Sequence, residues 1–320
     1  MTRYLVRRCI QSAFILLAIS LLSFAFMRAA PGGPGQFYDN PRISPAYREQ
    51  LRRSFGLDDP LPLQYAKWLS NVMRFDFGVS FIDHRPVIEK IAERIPASFQ
   101  LAIGSFLLGF LGVPLGVYAA LRRGKLQDQS IRVFTVVGNA LPDWWLGLMV
   151  LVMTSWIYSQ TSIRIFPLGG MYSPGRELDL LDRLWHLALP SVIGAMGGWI
   201  VYSRYVRSGL LDVLGQDYVR TAHAKGLRAS VVLNRHALRN ALIPIATLFG
   251  GILTIFVSGA LLYEITFSWP GMGRLFIDAA YQRDYPLLMA GTMIGSFLVI
   301  AGNLLSDLAY GWIDPRVRYD

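Results

Sequence analysis

Ser98-Phe-Gln-Leu-Ala-Ile-Gly-Ser-Phe-Leu-Leu-Gly-Phe-Leu-Gly-Val-Pro-Leu-Gly-Val-Tyr-Ala-Ala-Leu121 runs for 24 positions without a charged residue. As a helix rising about 1.5 Å per residue, it is long enough to cross a hydrocarbon layer of about 30 Å. Arg122, Arg123 and Lys125 follow at once, as expected where a span meets water. Four more runs meet the same rule: Cys9–Met27, Val133–Tyr158, Ala241–Tyr263 and Leu287–Ser306. Leu184–Tyr202 is weaker, because it holds His186, Pro190 and the glycines Gly194, Gly197 and Gly198. Small residues let helices approach closely, so this segment reads as an inner, packed span. The expected fold is an all-α membrane protein of six transmembrane helices.

Composition supports that reading. Of 320 residues, 53% are hydrophobic and only 16% charged, and the mean hydropathy is +0.38. A soluble domain needs about a quarter charged residues to cover its wet surface, so a soluble enzyme is excluded. The single cysteine, Cys9, excludes a disulfide framework or a thiolate metal cluster within one chain. The net charge of +10 is a topology signal. With the N-terminus inside, the inner segments hold 16 of the 31 Lys and Arg residues against six acids. The outer segments are nearly neutral, so both termini are expected in the cytoplasm. No nucleic-acid partner is implied.

The apolar run behind Arg3, Arg7 and Arg8 is longer than the 7–15 residues of a cleavable signal, so residues 1–28 read as a tail and an uncleaved first span. Residues 29–97, entered through Pro31–Pro34, read as an extracytoplasmic cap. Residues 98–320 read as a five-helix core with a cytoplasmic loop at 204–240.

Chemical motifs are absent. Gly124-Lys125 is followed by Leu126, with no glycine five positions before Gly124, so no phosphate-cradling loop is present. His84, His186, His223 and His236 are scattered, with no pair at metal-ligand spacing. No cofactor, metal or catalytic residue is therefore expected on this chain. Asp143 is the one acid near mid-span. An acid there costs at least ~2.5 kcal/mol, so it should have a partner and face protein or water. Asn139 and Pro142 beside it suggest a locally opened helix. Asn139, Asp143 and, in the fifth span, Ser258 are candidate path residues. Glu264 and Trp269, just past that span, are candidates for an outer gate or a receptor contact. Gly112-x-x-x-Gly116 and Gly291-x-x-x-Gly295 read as close helix crossings.

The most informative stretch is the loop. Asp217-Tyr-Val-Arg-Thr-Ala-His-Ala-Lys-Gly226 and Ser230-Val-Val-Leu-Asn-Arg-His-Ala-Leu-Arg-Asn240 predict two short helices broken at Gly226, with Asp217 placed to cap the first. Ala222, Ala224, Leu227 and Val231 give this basic loop a small, apolar face, which suits a docking knob.

This loop resembles the coupling loop of ABC importer permeases, whose pattern is Glu-Ala-Ala, three residues, Gly, nine residues, then Ile-x-Leu-Pro. Ala222, Gly226 and Leu238 match it, while Arg220 and Arg239 depart from it. Arg220-Thr-Ala and Arg235-His-Ala-Leu-Arg-Asn240 resemble the dipeptide/oligopeptide/nickel branch. So do Arg28-Ala-Ala-Pro-Gly-Gly-Pro34, Gly56-Leu-Asp-Asp-Pro-Leu61, Phe75-Asp-Phe-Gly-Val-Ser80, Phe267-Ser-Trp-Pro-Gly-Met-Gly273 and Asp314-Pro-Arg316. The resemblance implies a type I importer fold in a bacterial or archaeal inner membrane. It implies a non-catalytic translocation subunit for di- or oligopeptides, with nickel, glutathione or another small solute as alternatives; the rival from another class is a standalone intramembrane enzyme or channel. Its partners would be a second homologous permease in a heterodimer, two cytoplasmic ATPases that carry ATP and Mg, and an extracytoplasmic solute-binding protein. Coupling would fall to Asp217, Arg220, Thr221, Ala222, Lys225, Gly226, Arg235, Leu238 and Arg239. Ala222 and Gly226 would allow the ATPase to approach closely.

Overall fold

The computed structural model describes residues 2–30, 58–242, 245 and 261–313. Among them the chain is helical, with one isolated antiparallel bridge between Val79 and Pro86. Four helices are long and apolar enough to cross a membrane, and a bent pair makes a fifth crossing if counted as one. Most of the expected fifth span, Ala241–Tyr263, lies outside the described residues, together with Ser258, residues 31–57 and Asp314-Pro-Arg316.

Helix α1 (Thr2–Ala29) exposes apolar side chains around most of its length, as a lipid-facing helix does. Its far end is covered. Phe24 and Met27 are buried with Met289, against Tyr65 and Trp68 of α2 (Leu61–Met73). Ser20 and the Tyr65 hydroxyl share a hydrogen bond of 2.7 Å, so part of the cap lies directly on the first span.

The second span departs from expectation. Helix α3 (Val87–Gly109) starts well before Ser98, inside the stretch assigned to the cap, and α4 (Gly112–Leu121) continues it to give a 35-residue apolar run. The boundary at 97 is therefore not a structural one. Hydropathy cut the helix short because its first turns carry Glu89, Lys90, Glu93 and Arg94; Glu89 and Glu93 stay at the surface facing Arg85, while Lys90 is mostly covered and pairs with Asp83 and the buried Asp284.

The third span departs more. Val133–Tyr158 is not one helix but α5 (Leu126–Ala140) and α6 (Asp143–Thr161), bent by 95°. Pro142 supplies the cause: it lacks an N–H and disfavours helical geometry in the residue before it. Leu141 is accordingly extended, at φ −107° and ψ 134°.

Helix α7 (Leu180–Leu214) is the hub. It packs on α3, α4, α5 and α6, and buries Ala195, Ile200, Val206 and Leu210. A Cβ added at Gly112 would lie 2.8 Å from the Gly198 carbonyl oxygen, and one at Gly116 2.6 Å from that of Ser203. The first glycine pair is thus a backbone-to-backbone crossing, as its spacing predicted. The second is not: a Cβ at Gly291 would meet the Phe276 ring, while Gly295 faces open space.

The chain then forms α8 (Asp217–Ala224), α9 (Ala229–Val231), a π-helical stretch (Val232–Ala237) and α10 (Leu238–Ala241). After the undescribed stretch come α11 (Leu261–Thr266), α12 (Met272–Gln282) and α13 (Tyr285–Ile313).

Candidate functional site

The loop forms a protruding helical hairpin. Helix α8 ends at Ala224, and Gly226 turns the chain at φ +75°, a conformation that glycine adopts without strain. Val219 and Ala222 are buried against Val232, with Val213 and Leu214 packed around them. The Asn240 amide donates to the Tyr218 hydroxyl at 2.8 Å and ties the returning arm to α8. Two expectations change. Ala222 is 5% exposed and packs within this chain, so its small side chain serves the hairpin rather than a partner. Nothing lies within 4 Å of a Cβ at Gly226, so this glycine is required by backbone conformation and not by crowding. Asp217 makes no capping hydrogen bond; the N-cap position is Gln216, leaving Asp217 in the first turn, where its charge suits the helix dipole. It pairs with Arg220 at 3.3 Å in full solvent exposure, a contact of small energetic weight. Thr221 donates back to the Asp217 carbonyl. The face left to solvent carries Ala224, Lys225, Leu227, Val231, Arg235 and Arg239, while Leu238 is half-buried.

The hairpin is rooted in the bundle. Ala237 and Ala241 are buried with Leu210 of α7 and Ala120 of α4. Beside them Arg207 donates to both carboxylate oxygens of Asp128, at 2.6 and 2.9 Å, and Asp128 also accepts from the Gly124 amide. Asp128 is 1% exposed. A bidentate, buried pair of this kind is directional and fixes α5 to α7. Sequence reading counted both residues only as loop charges, because partners 79 positions apart carry no local signal.

At the other end of α5 lies the break. Asn139 is exposed, and Asp143 is half-buried at the start of α6, where its carboxylate accepts from the Trp144 amide at 3.0 Å. The opened helix anticipated from Asn139 and Pro142 is present. Asp143, expected ten residues inside a continuous span, instead occupies a helix N-terminus, whose unpaired N–H groups and dipole favour a negative charge. Its carboxylate also faces the Tyr263 hydroxyl from α11 closely enough to interact with it. That partner was not legible in the sequence.

The next residue, Glu264, is fully buried. Its carboxylate accepts from the Ser98 hydroxyl at 2.7 Å and from the Arg274 amide at 2.9 Å, while the Ser98 oxygen accepts from the Met272 amide. It therefore caps the N-terminus of α12 from outside. Trp269, also fully buried, donates from Nε1 to the Ala97 carbonyl at 2.8 Å. Neither side chain lies on a surface that a docking protein could touch. The expected receptor contact is corrected to an internal clasp joining α3, α11 and α12.

One further polar cluster has the composition of a hydrolytic triad but not its connectivity. Ser173 lies 2.8 Å from an Asp182 oxygen, and His186 Nδ1 is paired with the Gly170 carbonyl rather than with a carboxylate. An orienting acid behind the imidazole, which activates a serine, is missing from this arrangement.

A helical bundle with four or five apolar spans, a basic hairpin, a broken helix and a buried clasp has the architecture of a polytopic membrane subunit. Residues 112–319 match the family model described as binding-protein-dependent transport system inner membrane component, and residues 1–102 match that of its N-terminal part. The chain is 42% identical over 321 residues to the oligopeptide transport system permease protein AppB of Bacillus subtilis, covering 100% of both chains. It is 35% identical over 337 residues to the dipeptide transport system permease protein DppB of Escherichia coli, covering 100% of this chain and 99% of the relative. This chain belongs to the family of inner membrane components of binding-protein-dependent transport systems.

Proposed function

We propose that this chain is the membrane-spanning subunit of an ATP-driven importer and forms part of a path for di- or oligopeptides. The observation that carries the proposal is the hairpin 217–241: a stiff lever with an exposed small and basic face, rooted in the bundle of a chain whose sequence lacks a phosphate-binding loop. The peptide class is supported by full-length similarity to permeases named for oligopeptide and dipeptide transport. In this reading six spans cross the membrane with both termini cytoplasmic, and a second homologous permease completes the path. Two ATPases grip the levers through Ala224, Lys225, Leu227 and the neighbouring arginines. A solute-binding protein delivers peptide to the outer face, and the cap at 29–97 is one surface it could meet.

The physical sequence is mechanical. Closure of the ATPases over ATP moves the hairpin, and the hairpin moves α7 and α4 through Leu210 and Ala120. The Asp128–Arg207 pair carries the displacement into α5, whose other end is the break beside Asp143. Switching between two packed arrangements then opens the path to one side at a time. Asp143, facing Tyr263, offers a carboxylate to the ammonium of a peptide.

Affinity purification of the tagged chain from its native membranes tests this. Wild type should bring down a second permease and ATPases. The double substitution A224R/L227R on the exposed face should release the ATPases and leave the permease pair together. ATPases that stay bound at wild-type levels would refute the docking assignment.

A further inference from the structure

The loop between α6 and α7 carries features that the transport reading does not use. A cleft of about 540 Å³ is lined by Arg164, Ser173, Arg176, Asp179, Leu181, Asp182 and Trp185. Its acids are mostly occupied. Asp182 accepts from the Ser173 amide and hydroxyl, at 2.6 and 2.8 Å, and Asp179 Oδ1 accepts from the Leu181 and Asp182 amides at the start of α7. Its bases are not. Neither the Arg164 nor the Arg176 guanidinium forms a hydrogen bond or close ion pair among the described residues. Arg164 stacks over the Trp185 ring, 5.5 Å from its centroid, which fixes the guanidinium plane and leaves its edge donors free. Trp185 is itself anchored by donation to the Ile165 carbonyl. Asp179 keeps one carboxylate oxygen without a hydrogen-bond partner among the described residues, and Arg176 lies in the field of Asp182, but the larger unused capacity is that of two guanidiniums, which suits an oxyanion.

Two observations say which oxyanion. Exposed leucines accompany it: Leu181, which lines the cleft, is 78% exposed, and its chain neighbours Leu178 and Leu180 are 100% and 67% exposed. Three exposed leucines beside two free guanidiniums fit a ligand that is both anionic and hydrocarbon. Depth gives the second. Arg204 marks one membrane boundary on α7, and the roughly 20 residues that cross the core lead back to Leu184 at the other. The cleft therefore sits at headgroup level, at the opposite end of α7 from the hairpin. We propose that the cleft binds the phosphate of a membrane phospholipid, with Arg164 and Arg176 as its oxyanion donors and Leu178, Leu180 and Leu181 against the acyl chains. The assignment does not depend on what the chain transports.

The test is native mass spectrometry of the full chain in detergent, titrated separately with phosphatidylglycerol, phosphatidylethanolamine and diacylglycerol of matched acyl chains. Both phospholipids should bind above the diacylglycerol background. R164Q/R176Q should weaken that binding about tenfold, because solvent screening at an open cleft leaves each charged contact with well under its buried worth, and R164K/R176K should fall between. If the double variant melts early, the single R176Q change, at an exposed side chain, supplies the reading and should still weaken phospholipid binding. Equal binding of diacylglycerol, or unchanged phospholipid affinity in the glutamine variants, would overturn the site. Unchanged lipid affinity together with weaker association of an extracytoplasmic binding protein would reassign the cleft to protein docking.

Discussion

Removing the carboxylate of Glu264 tests whether the clasp at α3, α11 and α12 holds the bundle. In Glu264→Ala the Ser98 hydroxyl loses its acceptor and the Arg274 amide loses its cap, both in a dry environment. A buried donor left unpaired costs about 1–3 kcal/mol, and the missing side chain leaves a void beside Gly271 and Gly273, which abut the carboxylate. Together these give about 3–5 kcal/mol, at the severe end for one substitution. Glu264→Gln should cost only about 1–2 kcal/mol. One amide oxygen can still accept from Arg274, and the Ser98 hydroxyl can turn to accept from the new NH₂; what is lost is the charge that the helix N-terminus favours. Ser98→Ala combined with Glu264→Ala should cost less than the two singles summed, with a coupling of about 1–2 kcal/mol, because both remove the same hydrogen bond. Thermal melting of the purified chain in detergent reads all four variants. Equal melting of the alanine and glutamine variants, or strict additivity in the double, would show that the network does not hold these elements together.

Three other substitutions probe the remaining links. Gly226→Val forces a β-branched residue to φ +75° but meets no atom within 4 Å, so it should cost only about 1–2 kcal/mol of backbone strain; ATP hydrolysis should persist in reconstituted complexes while uptake stops, and normal coupled uptake would refute the lever. Gly116→Leu puts a Cβ 2.6 Å from the Ser203 carbonyl oxygen, where backbone cannot yield, so a loss of about 4 kcal/mol or more and little monodisperse protein in size-exclusion chromatography are expected. Asp143→Asn keeps the shape and the Tyr263 contact but removes the charge; uptake of cationic peptides should fall more than that of neutral ones, and unchanged uptake of both would remove the carboxylate from the path.

How far the sequence could be read depended on whether a signal was local. Uninterrupted apolar runs located the first, second and last spans, because lipid forces continuous hydrophobicity on a lone helix, and a weaker run rich in small residues located the fourth. The same logic misplaced the start of α3, whose first turns carry Glu89, Lys90, Glu93 and Arg94, three of them met by Arg85, Asp83 and Asp284 of the chain itself. It also fused α5 and α6, because hydropathy counts side chains and ignores that Pro142 withholds an amide and pushes Leu141 out of helical geometry. Gly226 was legible as a turn, since its left-handed backbone demands glycine. The role of Ala222 was not. A small residue looks alike whether its neighbour is a partner protein or Val232 of its own chain.

The linear chain by itself settled that this protein is a helical membrane component, where most spans lie and that one basic loop turns sharply at Gly226 after a short helix; each follows from transfer free energy or backbone sterics acting over a few adjacent residues. Tertiary structure alone decided which charges are partners and which are free. Asp128 found Arg207, Glu264 found Ser98 and the Arg274 amide, Asp143 came to face Tyr263, and the Arg164 and Arg176 guanidiniums have no hydrogen-bond acceptor among the described residues. Burying a charge is tolerable only beside specific complementary atoms. Where those atoms arrive from helices a hundred residues away, only packing can show it.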